Sequence, residues 1–275
     1  MEKKRKGIDL SGLKDALWAI WIFAAVAVVL FGLVITGFTR HSGERESRTA
    51  FLKGNPSAAA DSSGSSGDPS KDGGALLTLE STDDAGDAYL SSITWLCDSI
   101  SIGLRNNSLY SSNVWGSEPG NLSMKNVSAW KIRFADGSML TPSEAAMISK
   151  PAILVMAIGS DGMMAVEEET FISSYTELIR SIQEASPGTK IICCSIISPC
   201  IGYSGPDGLN KDAVASGNEW VKQICRSTGA YYANSAEAVE KEHHLVDAYS
   251  SSNAKALNGK GLDKFLEYFR THALS

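Results

Sequence analysis

A serine stands where a run of β-forming residues breaks off. Ile93-Thr94-Trp95-Leu96-Cys97 leads into Asp98-Ser99, and small and apolar residues from Ile100 to Leu104 then suit the start of a helix. A serine at a strand-to-helix junction lies at the carboxyl edge of a sheet, its hydroxyl near helix N–H groups that favour developing negative charge. The chemistry such a position serves is acyl transfer through an activated hydroxyl. The same position also suits a plain helix cap, where Asp and Ser are favoured on structural grounds. Both readings of Ser99 stand at this point. No metal-ligand spacing is visible, since the chain has no CxxC and its only clustered histidines are His243-His244. Neither a metal nor a cofactor is therefore expected.

The elements that must position Ser99 follow from hydrophobic patterning. Ile93–Cys97 reads as a strand, Val114-Trp115-Gly116 as a second short one, and residues 130–134 as a third, ending at the Asp136-Gly137 turn signal. Thr141-Pro142-Ser143-Glu144 combines a capping-box spacing with proline at the first helical position, so a helix is predicted from Pro142 to Ser149. Residues 151–158 form a continuous apolar run of the kind buried on both faces of a parallel sheet. A helix over 166–185 follows, with Phe171, Tyr175, Leu178, Ile179 and Ile182 at helical spacing. Next come a strand at 190–197, a Gly- and Pro-rich loop at 198–210, a helix at 212–227 and a short strand at 230–233. Leu262, Phe265, Leu266 and Phe269 mark a closing amphipathic helix. Strands alternating with helices of this length imply an α/β fold: a three-layer sandwich with a mostly parallel central sheet of flavodoxin-like form, its sites at the carboxyl ends of the strands.

The 275-residue chain carries a mild net charge of −6. That argues against a nucleic-acid partner, which requires a basic face to displace counterions. Residues 16–38 contain no charged side chain, a stretch long enough to cross a hydrocarbon core at about 1.5 Å per residue. It exceeds the usual apolar region of a cleavable signal, and Gly37-Phe38-Thr39-Arg40 is a poor cleavage site. The expectation is an uncleaved transmembrane signal anchor. Lys3, Lys4, Arg5, Lys6 and Lys14 precede it, so residues 1–15 are expected in the cytoplasm and the rest outside a single-pass cell-membrane protein. Residues 39–80, with the tract Asp61-Ser62-Ser63-Gly64-Ser65-Ser66-Gly67-Asp68, read as a flexible linker, and 81–275 as the folded domain. Five cysteines are an odd count for an extracellular chain. Cys193-Cys194, inside an apolar run, should point to opposite faces as buried thiols. Cys200 and Cys225 are open to pairing, though spacing does not establish the geometry a disulfide requires.

The order of elements and the block Cys97-Asp98-Ser99-Ile100 with Gly103-Leu104 resemble the SGNH, or GDSL-type, hydrolases. They look more like the membrane-anchored or secreted members found in Gram-positive bacteria, and the likeness extends from Asp87 to the closing Glu267-Tyr268-Phe269-Arg270-Thr271-His272-Ala273-Leu274. The resemblance implies that Ser99 matches the nucleophile and Gly116 the glycine whose N–H, with the serine's own N–H and an asparagine side chain, forms the oxyanion hole. Where the family has Gly-x-Asn this chain has Gly159-Ser160-Asp161. An ionised Asp161 offers no donor and would repel an oxyanion by about 4 kcal/mol at ~4 Å and an effective dielectric near 20; only a protonated Asp161 could substitute. The segment Tyr249-Ser250-Ser251-Ser252-Asn253-Ala254-Lys255-Ala256-Leu257 lies where the family carries Asp-x-x-His, and it has neither residue. His243 or His244, beside Asp247, would have to swing in as base; as part of a polar stretch they also read as a surface pair, and His272 as a residue of the last helix.

Two functions follow from the resemblance. One is a catalytically degenerate domain acting as a binding or scaffolding module in the cell envelope. The other is an active serine esterase or carbohydrate deacetylase that uses Ser99 on cell-wall acyl groups. The partners expected are the membrane and a cell-wall carbohydrate or acyl ester. Trp115 and Trp130 could line a sugar cleft, or pack in the core as aromatics in sheets commonly do.

Overall fold

The strand Ile93–Cys97 alternates between two cores: Leu96 points into one apolar layer, while Ile93, Trp95 and Cys97 point into the other. A side chain every second residue on each face is the strand period, and burial of both faces is what a parallel sheet covered by helices on each side demands. The computed structural model describes residues 74–107, 111–116, 124–133 and 136–274. The expected membrane anchor at 16–38 and most of the linker lie outside them. Among the described residues no helix is long and apolar enough to cross a membrane.

The central sheet holds β1 (Leu77–Thr78), β2 (Ile93–Cys97), β3 (Val114–Trp115), β6 (Ile153–Ala157), β7 (Lys190–Cys194) and β8 (Tyr231–Ala233), in the order β1-β8-β7-β6-β2-β3 with all pairs parallel. Without β1, this is the flavodoxin-like doubly wound order, in which the chain reverses direction between its first and third strands. Those strands are β2 and β6, which pair over their full length from Ile93↔Ile153 to Cys97↔Ala157. The three-layer architecture expected from the pattern is the one present. The reversal opens the sheet edge where Ser99 and Asp161 emerge.

Helices α2 (Pro142–Ser149), α3 (Glu168–Ala185) and α4 (Lys211–Thr228) belong to one layer, and α1 (Gly86–Ser92) and α5 (Gly259–Arg270) to the other. The start of α2 carries the full capping box: the Thr141 side chain accepts from Glu144 N–H, and the Glu144 carboxylate accepts from Thr141 N–H, with Pro142 in the first turn. In α5, Phe265 and Phe269 pack on Trp95 of β2 at ring-centroid distances of 5.9 and 5.1 Å. This clamps the strand that ends at Ser99.

Several boundaries shift. β1 pairs with β8, so the folded part begins before position 81, and the linker does not extend to 80. Its side chains are exposed, which hid the strand from a reading based on alternation. The third expected strand, at 130–134, is not in the central sheet; Ile132–Arg133 (β4) forms a small antiparallel hairpin with Met139–Leu140 (β5). A second hairpin, β9 (Glu240–Lys241) with β10 (His244–Leu245), turns through Glu242 and His243, both at positive φ. Cys193 and Cys194 face opposite layers as expected. Cys200 lies in the layer of α5 and Cys225 in that of α3 and α4, so the sheet separates them and they do not pair.

Gly159, just beyond β6, has φ +131°, and a Cβ there would lie 3.0 Å from Ile196 Cδ1. Both the backbone conformation and the space therefore call for glycine. Gly159→Ala is expected to destabilise the fold by about 1–3 kcal/mol, read as a lower urea midpoint with an unchanged denaturant slope.

Candidate functional site

Ser99 does not begin an α-helix. Asp98 C=O accepts from Ile102 N–H at 3.0 Å, and only a short 3-10 turn at Ile102–Asn106 follows, so the helix-terminus chemistry expected at Ser99 is absent. The turn is organised by Asp98. This residue is buried; one carboxylate oxygen accepts from Ile100 N–H at 3.0 Å, and the other accepts from Ser160 N–H at 3.0 Å and the Ser160 hydroxyl at 2.7 Å. Asp98 thus ties the loop after β2 to the loop after β6.

The next residue in each loop makes the second tie. Asp161 Oδ2 accepts from Ser99 N–H at 2.9 Å, and Asp161 Oδ1 accepts from the Ser99 hydroxyl at 2.6 Å. Lys255 Nζ, from the segment before α5, reaches the same Asp161 Oδ1 at 3.1 Å and Asp207 Oδ2 at 2.8 Å. Asp207 in turn accepts from the Tyr203 hydroxyl at 2.9 Å and from Leu209 N–H at 3.2 Å. The result is a chain of alternating donors and acceptors, Ser99–Asp161–Lys255–Asp207–Tyr203, across four loops at the carboxyl edge of the sheet.

The network is partly shielded from water: side-chain exposure is 9% at Lys255, 16% at Asp161 and 31% at Asp207. Burial opposes the charge on Lys255, but its hydrogen bond to Asp207 and the Asp161 carboxylate outweigh that and raise its pKa to about 12. An ammonium held so firmly is no proton acceptor at neutral pH. Burial likewise opposes ionisation of Asp207, yet hydrogen bonds from Lys255, Tyr203 and Leu209 hold its carboxyl below the usual range. Asp98 goes the other way: burial first, and then the charge of Asp161, push it up to about 6.

Of the residues singled out by motif, the structure brings Ser99 and Asp161 into direct contact. Asp161 is not a donor: both its oxygens accept, one of them from the Ser99 N–H that an oxyanion hole would use. Gly116 lies at the end of β3. A Cβ there would collide with Ile102, and its carbonyl accepts from Arg105 Nη2 at 2.8 Å; close packing alone accounts for this glycine. Trp115 and Trp130 are both buried with the core, though Trp115 also lines a pocket of about 280 Å³ with Arg105 and Arg133.

No imidazole takes the role of base among the described residues. His244 Nδ1 is engaged by the Glu242 carbonyl within its own hairpin, and His272 stacks on Tyr268 with a centroid distance of 4.1 Å and bonds the Tyr268 carbonyl. In place of an Asp-x-x-His pair, Asn253 Oδ1 accepts from the N–H groups of Lys255 and Ala256, shaping the turn that aims Lys255 inward. Lys255, Asp207, Ser160 and Tyr203 went unrecognised in the sequence. Lys255 did leave a signal, as the one charged residue between Tyr249 and Leu257.

Beside Asp98, Ser101 and Ser160 lies a cavity of about 20 Å³. It has room for about one water and none for a sugar or acyl chain.

No protein-family model and no curated protein matches the sequence. Among solved structures, the chain is similar to a DUF4886 family protein from Bacteroides uniformis (12% identity, 66% of this chain and 82% of that one, TM-score 0.49). It is also similar to a GDSL-like lipase from Bacteroides thetaiotaomicron (14% identity, 64% and 83%, TM-score 0.42). A third is the psychrotrophic esterase EstA from Pseudoalteromonas sp. (13% identity, 65% and 94%, TM-score 0.44). The doubly wound architecture follows from this chain's own strand order and register.

Two outcomes test the electrostatics. Lys255→Met leaves two carboxylates without their shared cation and should cost about 2–4 kcal/mol, measured by chemical denaturation at pH 7. Asp98 holds its proton in the folded state between its ordinary 3.8 and about 6. Its stabilising contribution is therefore full below about 3.8 and lost as pH rises through about 6. Wild type is thus expected to lose thermal stability relative to Asp98→Asn between pH 4 and pH 7; a difference in Tm that stays flat over this range would contradict the assignment.

Proposed function

We propose that this is an SGNH-type domain, held at the outer face of a cell membrane by residues 16–38, whose ancestral site has become a structural closure. In this reading it serves as a non-hydrolytic binding or scaffolding module of the cell envelope. One observation carries the proposal: the N–H and O–H of Ser99 both donate to the carboxylate of Asp161. A nucleophile needs its hydroxyl on a base and its N–H free for the oxyanion. Here one internal anion occupies both donors. Loss of a positioned base costs about 10²–10⁴ in rate and loss of an oxyanion donor about 10²–10³, so little turnover remains even if the losses overlap.

The membrane tether is supported by the uncharged run at 16–38 and the lysines before it. A cell-wall carbohydrate or acylated polymer remains the partner this reading favours. The competing reading, an active serine esterase or carbohydrate deacetylase, draws on the 2.6 Å contact itself, with Asp161 as an unconventional acceptor for the Ser99 proton. A fluorophosphonate probe and chromogenic acetyl and butyryl esters separate the two. The expected result is no adduct on Ser99 in folded protein and no turnover above that of Ser99→Ala. Turnover that disappears in Ser99→Ala would establish the enzyme instead.

A further inference from the structure

The five cysteines are all buried and unpaired, and four of the five thiols differ in what surrounds them. Cys97 has Ser101 beside it, Cys194 has Ser235, and Cys200 has Ser250. Cys193 has another thiol, that of Cys225. Backbone geometry independently brings these two together. Cys225, in the last turns of α4, lies with its sulfur 3.5 Å from the Tyr231 carbonyl oxygen of β8. The next residue, Tyr232, is the register partner of Cys193 on β7. Both side chains point into the core layer of α3 and α4.

Several other pairings meet obstacles. Cys193 and Cys194 are neighbours on opposite faces of the sheet, and the sheet divides Cys225 from Cys97, Cys194 and Cys200. Cys97 and Cys194 share a face, but β6 runs between their strands. Two strand spacings are about 10 Å, beyond the ~7 Å that a disulfide spans between Cα atoms.

We propose that Cys193 and Cys225 are a cross-linking site, forming a disulfide that staples α4 to the central sheet when the chain folds in an oxidising environment. The oxidant is a small disulfide such as oxidised glutathione. The Cys225 thiolate attacks it, releasing one glutathione thiolate; the Cys193 thiolate then attacks the mixed disulfide at the Cys225 sulfur and releases the second. Two protein thiols and one small disulfide become one protein disulfide and two small thiols. In the folded state the neighbouring Cys225 thiol and burial both raise the Cys193 thiol well above its ordinary pKa, which leaves little thiolate to attack. Bond formation therefore accompanies folding, or opening of α4, rather than reaction of the closed domain.

The test uses the full-length chain in detergent, unfolded and refolded with reduced glutathione alone or with a reduced and oxidised glutathione mixture. Samples are then alkylated and mapped without reduction by fragmentation mass spectrometry. The expected result is a cross-link between Cys193 and Cys225 in the mixture only, with Cys97, Cys194 and Cys200 alkylated. The cross-link should persist in Cys194→Ser and Cys200→Ser and vanish in Cys193→Ser. Tm should rise by about 5–10 °C on oxidation and fall back with reductant. Alkylation of both Cys193 and Cys225 after oxidative refolding, or a bond from Cys225 to Cys194 or Cys200, would overturn the proposal. The wild-type map alone decides the matter if a variant fails to fold.

Discussion

The Asp161 carboxylate is the point on which the carboxyl edge of this sheet depends. It collects the Ser99 N–H, the Ser99 hydroxyl and the Lys255 ammonium. These donors come from the loop after β2 and from the segment before α5, while Asp161 itself follows β6. Through Lys255 the same charge reaches Asp207 in the loop after β7. Loops at a sheet edge lack ladder hydrogen bonds to hold them together, so a shared buried charge with all its partners is an effective substitute. Burial first, and then the negative charge of Asp161, raise the pKa of the deeper Asp98 beside this network.

The frame of the fold was legible because it is written in periodicities. Trp95 and Leu96 alternate between faces, α3 repeats its apolar residues at helical spacing, and Thr141 to Glu144 spell a capping box that the structure reproduces. What escaped has no period. β1 is two exposed residues whose pairing depends on β8, more than 150 positions away. The placement of Ser99 opposite Asp161 was readable from local motifs, because both follow buried strands that must be neighbours in a doubly wound sheet. Lys255 was not. Its role is set by a turn around Asn253 and by its convergence with Asp207, and nothing within either segment announces the other.

Gly116 shows why a matched motif position is weak ground for a chemical role. A side chain there would displace Ile102 whether or not the N–H has work to do, so packing offers a reason for the glycine. Ser99 is different, because its two possible roles make opposite demands on the same atoms. As a nucleophile it needs an acceptor that can carry the proton away and an N–H kept vacant for charge that develops later. As a structural residue it needs both groups satisfied at once, since unpaired polar groups away from water are costly.

The observed geometry meets the second demand: both Ser99 donors are bonded to Asp161, which also accepts from Lys255. The Lys255 ammonium, its pKa held up to about 12 by its bond to Asp207 and by the Asp161 carboxylate, bridges the two carboxylates. The contact that ties the loops together is the one that engages both donors of Ser99. Asp98 and Ser160, with Ser99 and Asp161, hold the loops after β2 and β6 in register, and the bonds that shape this edge are the ones that take up both Ser99 donors.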